Sequence, residues 1–143
     1  MATYPLLRKF VLCLIIVGAI AIVSRPASAG VGGPAAATAN QGLNACATYS
    51  GQQLRGCVAD VLDRLADTSP FPSVTRSLHT AAAGVRAATN KAQALSAIAV
   101  CQAMVATSLK TARASGSEQW VVDGWGREAQ VLAHAASLIQ TKG

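Results

Sequence analysis

The cysteines are the residues of this sequence best able to do chemistry. Four occur in the chain, and three of them, Cys46, Cys57 and Cys101, lie beyond the signal peptide predicted below. No C-x-x-C pair is present, so a thioredoxin-type redox role has no support, and the spacings match no zinc-binding pattern. In an oxidising compartment, three cysteines predict one disulfide with a free thiol, or a bond between two chains.

Which two cysteines pair depends on where the helices end. Cys46 and Cys57 are eleven residues apart, or about 16 Å along a continuous helix, whereas the Cα atoms of a disulfide lie within ~7 Å of each other. They can bond only if the first helix breaks near Gly51. If the chain reverses at Asn90, Cys101 returns to within about one helical turn of Cys57. We therefore predict a Cys57–Cys101 disulfide, which leaves Cys46 as a free thiol or an intermolecular disulfide.

The histidines offer no catalytic arrangement. His79 and His134 are 55 residues apart, and neither belongs to a Ser-elbow, H-E-x-x-H or phosphate-loop motif. A Cys/His nucleophile pair would need a third group to orient the base, and Cys57 and Cys101 lie on apolar faces of the predicted helices. The sequence therefore predicts a protein that is not an enzyme and that uses no cofactor or metal ion.

Asp60, Asp63 and Asp67 share one face of the first predicted helix. Such a row could bind a cation, but its spacing is not that of a calcium-binding loop, and the sequence shows no further ligands. A solvated acidic face, with Asp60 paired to Arg64 one helical turn later, explains the same residues. We therefore predict a solvated acidic face with this one ion pair rather than a metal site.

Residues 1–29 have the three parts of a secretory signal peptide. Arg8 and Lys9 give a positive start, residues 10–23 form an uncharged and largely aliphatic run, and Ala-Ser-Ala at 27–29 suits a signal peptidase. The apolar run is shorter than the ~20 residues that span a bilayer. We predict cleavage between Ala29 and Gly30 and a periplasmic or extracellular location in a bacterium. An uncleaved N-terminal membrane anchor is the alternative.

Loss of the signal peptide would change the charge of the chain. Three of its 12 basic residues lie within residues 1–29 and all six acids lie beyond them, so the net charge would fall from +6 to +3. No basic cluster interleaves with aromatic residues, which argues against nucleic-acid binding. The remaining length suits one small domain. Residues 30–42 are uncharged and rich in glycine and alanine, so we predict a flexible segment before a helical domain at 43–143.

Apolar residues at helical spacing predict an all-α fold. The clearest run covers 74–109, where steps of four and three residues meet ten apolar residues in eleven positions, five of them alanine. Asn90 with Gln93 resembles a capping box, which favours a break there, although the run also fits one long helix. Ser115 with Glu118 is a second candidate box. We predict a small bundle of three long or four shorter Ala-rich helices, at 43–67, 74–88, 91–114 and 118–140.

Both tryptophans lie in the last predicted helix, on either side of a glycine. Trp120 and Trp125 could fill an alanine-lined core, or one could anchor a partner, since tryptophan is enriched in binding hot spots. Our first hypothesis is an exported, non-catalytic protein that acts through an unknown protein partner or self-association, without stable membrane insertion. The alternative is a small carrier of an apolar ligand or lipid, with a cavity near these tryptophans.

Overall fold

The computed structural model describes residues 33–143, so the predicted signal peptide and its cleavage site lie outside the described residues. This part of the chain forms five α-helices and no strand. The predicted all-α bundle is confirmed, with one helix more than expected. The helices are α1 (Gly33–Cys46), α2 (Gly51–Thr68), α3 (Pro72–Ala87), α4 (Lys91–Ala114) and α5 (Gln119–Lys142).

Each helix packs against the next one in sequence, and α5 also returns to α1 and α2, which closes the bundle. Because the connections are short, successive helices run in opposite directions. Lys142 at the end of α5 donates to the carbonyl of Ala47, and Lys91 at the start of α4 donates to that of Gln140. The core is mainly aliphatic, and its largest fully buried side chains include Leu43, Leu54, Leu62, Leu78, Ile98, Leu132 and Ile139.

The first helix starts ten residues earlier than predicted. The sequence predicts a flexible segment over residues 30–42, but α1 begins at Gly33. Pro34 lies in the first turn, where the missing N–H of proline is tolerated, and alanine has the highest helix propensity. Ala36, Ala39 and Leu43 then fall on one buried face. Small side chains therefore pack residues 33–42 against the bundle instead of leaving them as a linker.

The prediction of one helix over residues 43–67 is wrong, because the chain turns at 47–50 between α1 and α2. Gly51 has a φ of 55°, a left-handed conformation that glycine adopts at little cost. Ala47 and Tyr49 donate backbone hydrogen bonds to the end of α1. The glycine that weakens the helix pattern in the sequence thus marks a reversal of chain direction.

The predicted break at Asn90 is confirmed. Its Oδ1 accepts a hydrogen bond of 3.0 Å from the backbone N–H of Gln93, while the Gln93 side chain accepts from the N–H of Thr89. The second candidate box does not form, because α5 begins at Gln119 and its cap residue is Glu118 rather than Ser115. Ser115 instead donates to the carbonyl of Ala112. A serine followed three residues later by a glutamate therefore does not by itself fix where a helix begins.

Helices α3 and α4 approach closely at Gly84. A Cβ at this position would lie 2.7 Å from the Cβ of Ala97, and neither atom can rotate away. We expect Gly84→Ala to lower the free energy of unfolding by about 1–3 kcal/mol through overpacking, despite the better helix propensity of alanine.

Gly56→Ala in α2 is the matched control, because nothing lies within 4 Å of a Cβ there. This substitution should raise the free energy of unfolding by about 1 kcal/mol. Urea denaturation followed by far-UV circular dichroism measures both variants. Equal effects of the two substitutions would contradict the close α3–α4 contact.

Candidate functional site

The disulfide joins Cys46 to Cys57, with their Cα atoms 5.7 Å apart. The predicted Cys57–Cys101 pair is therefore wrong, and so is the prediction of a free or intermolecular thiol at Cys46. The turn at 47–50 places the end of α1 beside the second turn of α2. The two cysteines are therefore much closer together than they would be along one continuous helix. The free cysteine is Cys101, which is buried in the core.

The acidic row on α2 forms ion pairs with α3. Arg86 donates to Asp60 at 2.8 Å and to Asp63 at 2.7 Å, and the two ring nitrogens of His79 lie 3.0 Å from Asp63 and 3.4 Å from Asp67. Burial acts to raise the pKa of Asp63, but the hydrogen bonds from Arg86 and His79 outweigh it and lower that pKa below its usual value. These exposed pairs link two helices and contribute little stability each.

The predicted partner of Asp60 takes no part in this network. The carboxylate of Asp60 turns to Arg86 on α3 rather than to Arg64 on its own helix. The guanidinium of Arg64 therefore has no side-chain partner within residues 33–143. No group of three or more His, Cys, Asp or Glu side chains in the same range could hold a metal ion.

Helices α1 and α2 enclose a groove of about 680 Å³, here called the α1–α2 groove. Ala35, Ala39 and Gly42 line it from α1, and Val61 and Leu65 line it from α2. Its remaining lining residues are Pro34, Thr38, Arg64, Asp67 and Thr68. This volume falls within the ~300–1,000 Å³ range of small-molecule sites, and such sites are mostly apolar with a few polar groups.

The two tryptophans have different environments. Trp125 is 7% exposed, and its ring stacks on Phe71 at a centroid distance of 4.8 Å. Trp120 is 41% exposed, lies 6.1 Å from the same ring and donates its indole N–H to the carboxylate of Glu118. Trp125 is thus a core residue and Trp120 is accessible. Neither lines the α1–α2 groove, so the apolar cavity described here is not the one predicted near these residues.

A buried carboxylate lies where α5 meets the α2–α3 connection. Glu128 is 4% exposed, its Oε1 accepts a 2.7 Å hydrogen bond from Ser69, and its Oε2 has no hydrogen-bond partner among the described residues. Burial raises the pKa of Glu128 to about 7, although the bond from Ser69 acts in the opposite direction. Glu128 is not among the site residues predicted from the sequence. Its spacing of three from both Trp125 and Val131 indicates the buried face of α5.

The same environment suppresses the chemistry of the free thiol. Burial, with a smaller contribution from the nearby Glu128 carboxylate, raises the pKa of Cys101 to about 11. The thiolate is the nucleophilic form of cysteine, and a thiol with this pKa is almost wholly protonated at neutral pH. Cys101 therefore has the properties of a small core residue rather than those of a nucleophile.

The outer side of α4 exposes small, uncharged residues, here called the α4 face: Ala92, Ser96, Ala99, Val100, Ala103, Ala106 and Thr107. Val100, near its centre, is 67% exposed. No charged residue occurs between Lys91 and Lys110. By length and composition α4 could also cross a membrane, and only 22% of its most apolar window is buried. The opposite side of the helix supplies Ile98, Cys101 and Val105 to the core.

Comparison with protein-family models, with curated proteins and with solved structures finds no match to this chain. Function must therefore be inferred from the residues themselves. The described residues offer two surfaces with the character of binding sites, the α4 face and the α1–α2 groove. Among the titratable groups of the same residues, those of α2 and α3 include a network of ion pairs around Asp63, and Glu128 is buried.

Proposed function

We propose that this protein is an exported, non-catalytic helical bundle that acts by binding another protein through the α4 face. The observation that supports this most is the 67% exposure of Val100 at the centre of an uncharged surface. A contiguous exposed apolar patch on a small protein is typical of an interaction site. Export itself rests on the predicted signal peptide, and the Cys46–Cys57 disulfide is consistent with an oxidising compartment.

The side chains of the α4 face favour a helical partner. Four of its seven side chains are alanine and the others are small, so a second helix can approach closely, because interaxial distance depends on the side chains at the contact. An amphipathic helix that lays its apolar side against such a surface is a common recognition mode. The partner helix should therefore present apolar residues at spacings of three and four.

The charges around the α4 face favour a different protein over a second copy. Lys91, Lys110 and Arg113 flank it, and α4 contains no acidic residue. In a pair of α4 helices, parallel or antiparallel, these cations would meet cations, which is unfavourable. A partner with carboxylates at both ends of its apolar stripe would complement them. Self-association, part of the first hypothesis from the sequence, is therefore the weaker form of this proposal.

Photo-crosslinking identifies the partner, and binding of the purified pair tests the surface. We expect a photoreactive residue at position 100 to capture a specific protein in cells of the source organism, and the same residue at position 83 on α3 to capture none. Ala103→Glu should then weaken binding to the purified partner at least tenfold. Ala83→Glu is the control, because it introduces the same charge at an exposed alanine on another helix.

Three results would contradict the proposal. Crosslinks only to a second copy of the chain would show self-association instead, and binding of the purified protein to lipid vesicles through α4 would show a membrane surface. Equal effects of Ala103→Glu and Ala83→Glu on the purified pair would show that contact with the partner lies elsewhere.

A further inference from the structure

We propose that the α1–α2 groove binds one long-chain carboxylate, with its head group at Arg64 and its chain along the apolar wall. The proposal concerns a ligand and is independent of the proposed protein partner. The groove lies between α1 and α2, whereas α4 packs against α3 and α5. The two sites can therefore be tested separately in the same protein.

The groove has one fixed end. The Cys46–Cys57 disulfide ties α1 to α2, and one turn further along, a Cβ at Gly42 would lie 2.9 Å from Cγ2 of Val61. The helices are thus in tight contact at this end. The lining residues continue from Gly42 back to Pro34 on α1 and from Val61 on to Thr68 on α2. The open length of the groove accordingly follows the two helices, which suits an extended chain.

The walls of the groove suit an apolar chain. Six of its ten lining residues are apolar or glycine, and three of these, Ala39, Val61 and Leu65, are buried between the helices. An alkyl chain placed against them gains roughly 25 cal/mol for each Å² of apolar surface removed from water. Thr38 and Thr68 supply hydroxyl groups at the rim, and the Thr68 hydroxyl already donates to the backbone of α2.

The charge at the rim selects the head group. Two charged residues line the groove, Arg64 and Asp67. The carboxylate of Asp67 lies 3.4 Å from Nε2 of His79 on α3, while the guanidinium of Arg64 has no side-chain partner among residues 33–143. A guanidinium beside an apolar groove complements a carboxylate, which it can bind through two parallel hydrogen bonds. A fatty acid combines this head group with the required chain.

Calorimetric titration with laurate, below the concentration at which it forms micelles, tests the proposal on the protein purified from cells. We expect one laurate to bind per chain. Arg64→Gln should weaken laurate binding at least tenfold and leave the binding of the uncharged analogue dodecanol unchanged. Arg76→Gln is the matched control, because it removes the same charge from an exposed position on α3 and should have no effect.

A second pair of variants tests the groove itself. Thr38→Trp should fill it and abolish laurate binding, whereas Ala37→Trp, at an exposed neighbouring position outside the lining, should bind normally. Circular dichroism establishes that each variant is folded. No binding to the wild-type protein, equal affinity for laurate and dodecanol, or full binding to a folded Thr38→Trp variant would each overturn the proposal. Ala103→Glu on α4 should bind laurate normally, which separates this result from the protein-partner test.

Discussion

Replacing both Cys46 and Cys57 by alanine should lower the free energy of unfolding by about 3 kcal/mol. Their bond closes a loop with a sequence separation of 11. In the chain-entropy account, the disulfide stabilises the fold by restricting the unfolded chain, and a loop of this size contributes an amount of that order. Alanine is preferred to serine because Cys46 is fully buried, and a hydroxyl there would need a hydrogen-bond partner.

Urea denaturation in the presence and absence of a reductant measures the effect and also tests the connectivity. The reductant should destabilise the wild-type protein by the same amount and leave the double variant unchanged. Cys101→Ala is the matched control. It removes the buried free thiol, should have a much smaller effect, and should keep the response to reductant. If Cys101→Ala instead abolished that response, Cys101 would be a member of the disulfide and the pairing described here would be wrong.

The contrast between Asn90 and Gly51 shows which chain breaks can be predicted from sequence. The break at Asn90 depends on an amide side chain that caps the very next helix, and such local chemistry is visible in four residues. Gly51 only permits a left-handed turn. Whether the chain uses that freedom depends on the burial of α1 and on the bond between Cys46 and Cys57, which are properties of the folded molecule.

The charged residues of α2 illustrate the same limit. Spacing along one helix favours the pair Asp60–Arg64 by only a few tenths of a kcal/mol. The packing of α3 places Arg86 within 2.8 Å of Asp60 and 2.7 Å of Asp63, so one guanidinium serves two carboxylates. The tertiary contact replaces the predicted local pair and leaves Arg64 without a side-chain partner among residues 33–143. The sequence predicted a solvated acidic face with one ion pair, but the partner it named for Asp60 is wrong, and the position of Arg64 beside the groove depends on the fold.

Glu128 should make the protein less stable as the pH rises from about 4.5 to 7. The pKa of its carboxyl is raised from 4.5 to about 7 by burial, so within this window the folded protein retains a proton that the unfolded chain has released. Stability therefore falls with rising pH, and the loss is complete above the folded pKa. A shift of this size corresponds to about 3 kcal/mol. Most carboxylates make a folded protein less stable as the pH falls, whereas Glu128 makes it less stable as the pH rises.

Glu128→Gln should abolish this component of the pH dependence. The amide keeps an acceptor for the Ser69 hydroxyl and cannot ionise, so the variant should match the wild type near pH 4.5 and exceed it by about 3 kcal/mol near pH 8. Ser69 and the Cys101 thiol interact with Glu128, and neither is a cation that would stabilise the charged form. Urea denaturation across this pH range measures the difference between the two proteins.

Glu118→Gln provides the control, since it makes the same change at an exposed position just before α5 and should leave the shape of the profile unaltered. If the free energies of unfolding of the wild type and Glu128→Gln differed by the same amount at every pH, ionisation of the carboxylate would not destabilise the fold. The carboxylate would then be accessible to water. A difference that grows between pH 4.5 and 7 would instead locate a neutral carboxyl group in the core. At neutral pH a carboxyl group with a pKa of about 7 is close to half ionised. Its ionisation would weaken the contact between α5 and the α2–α3 connection, where Glu128 meets Ser69.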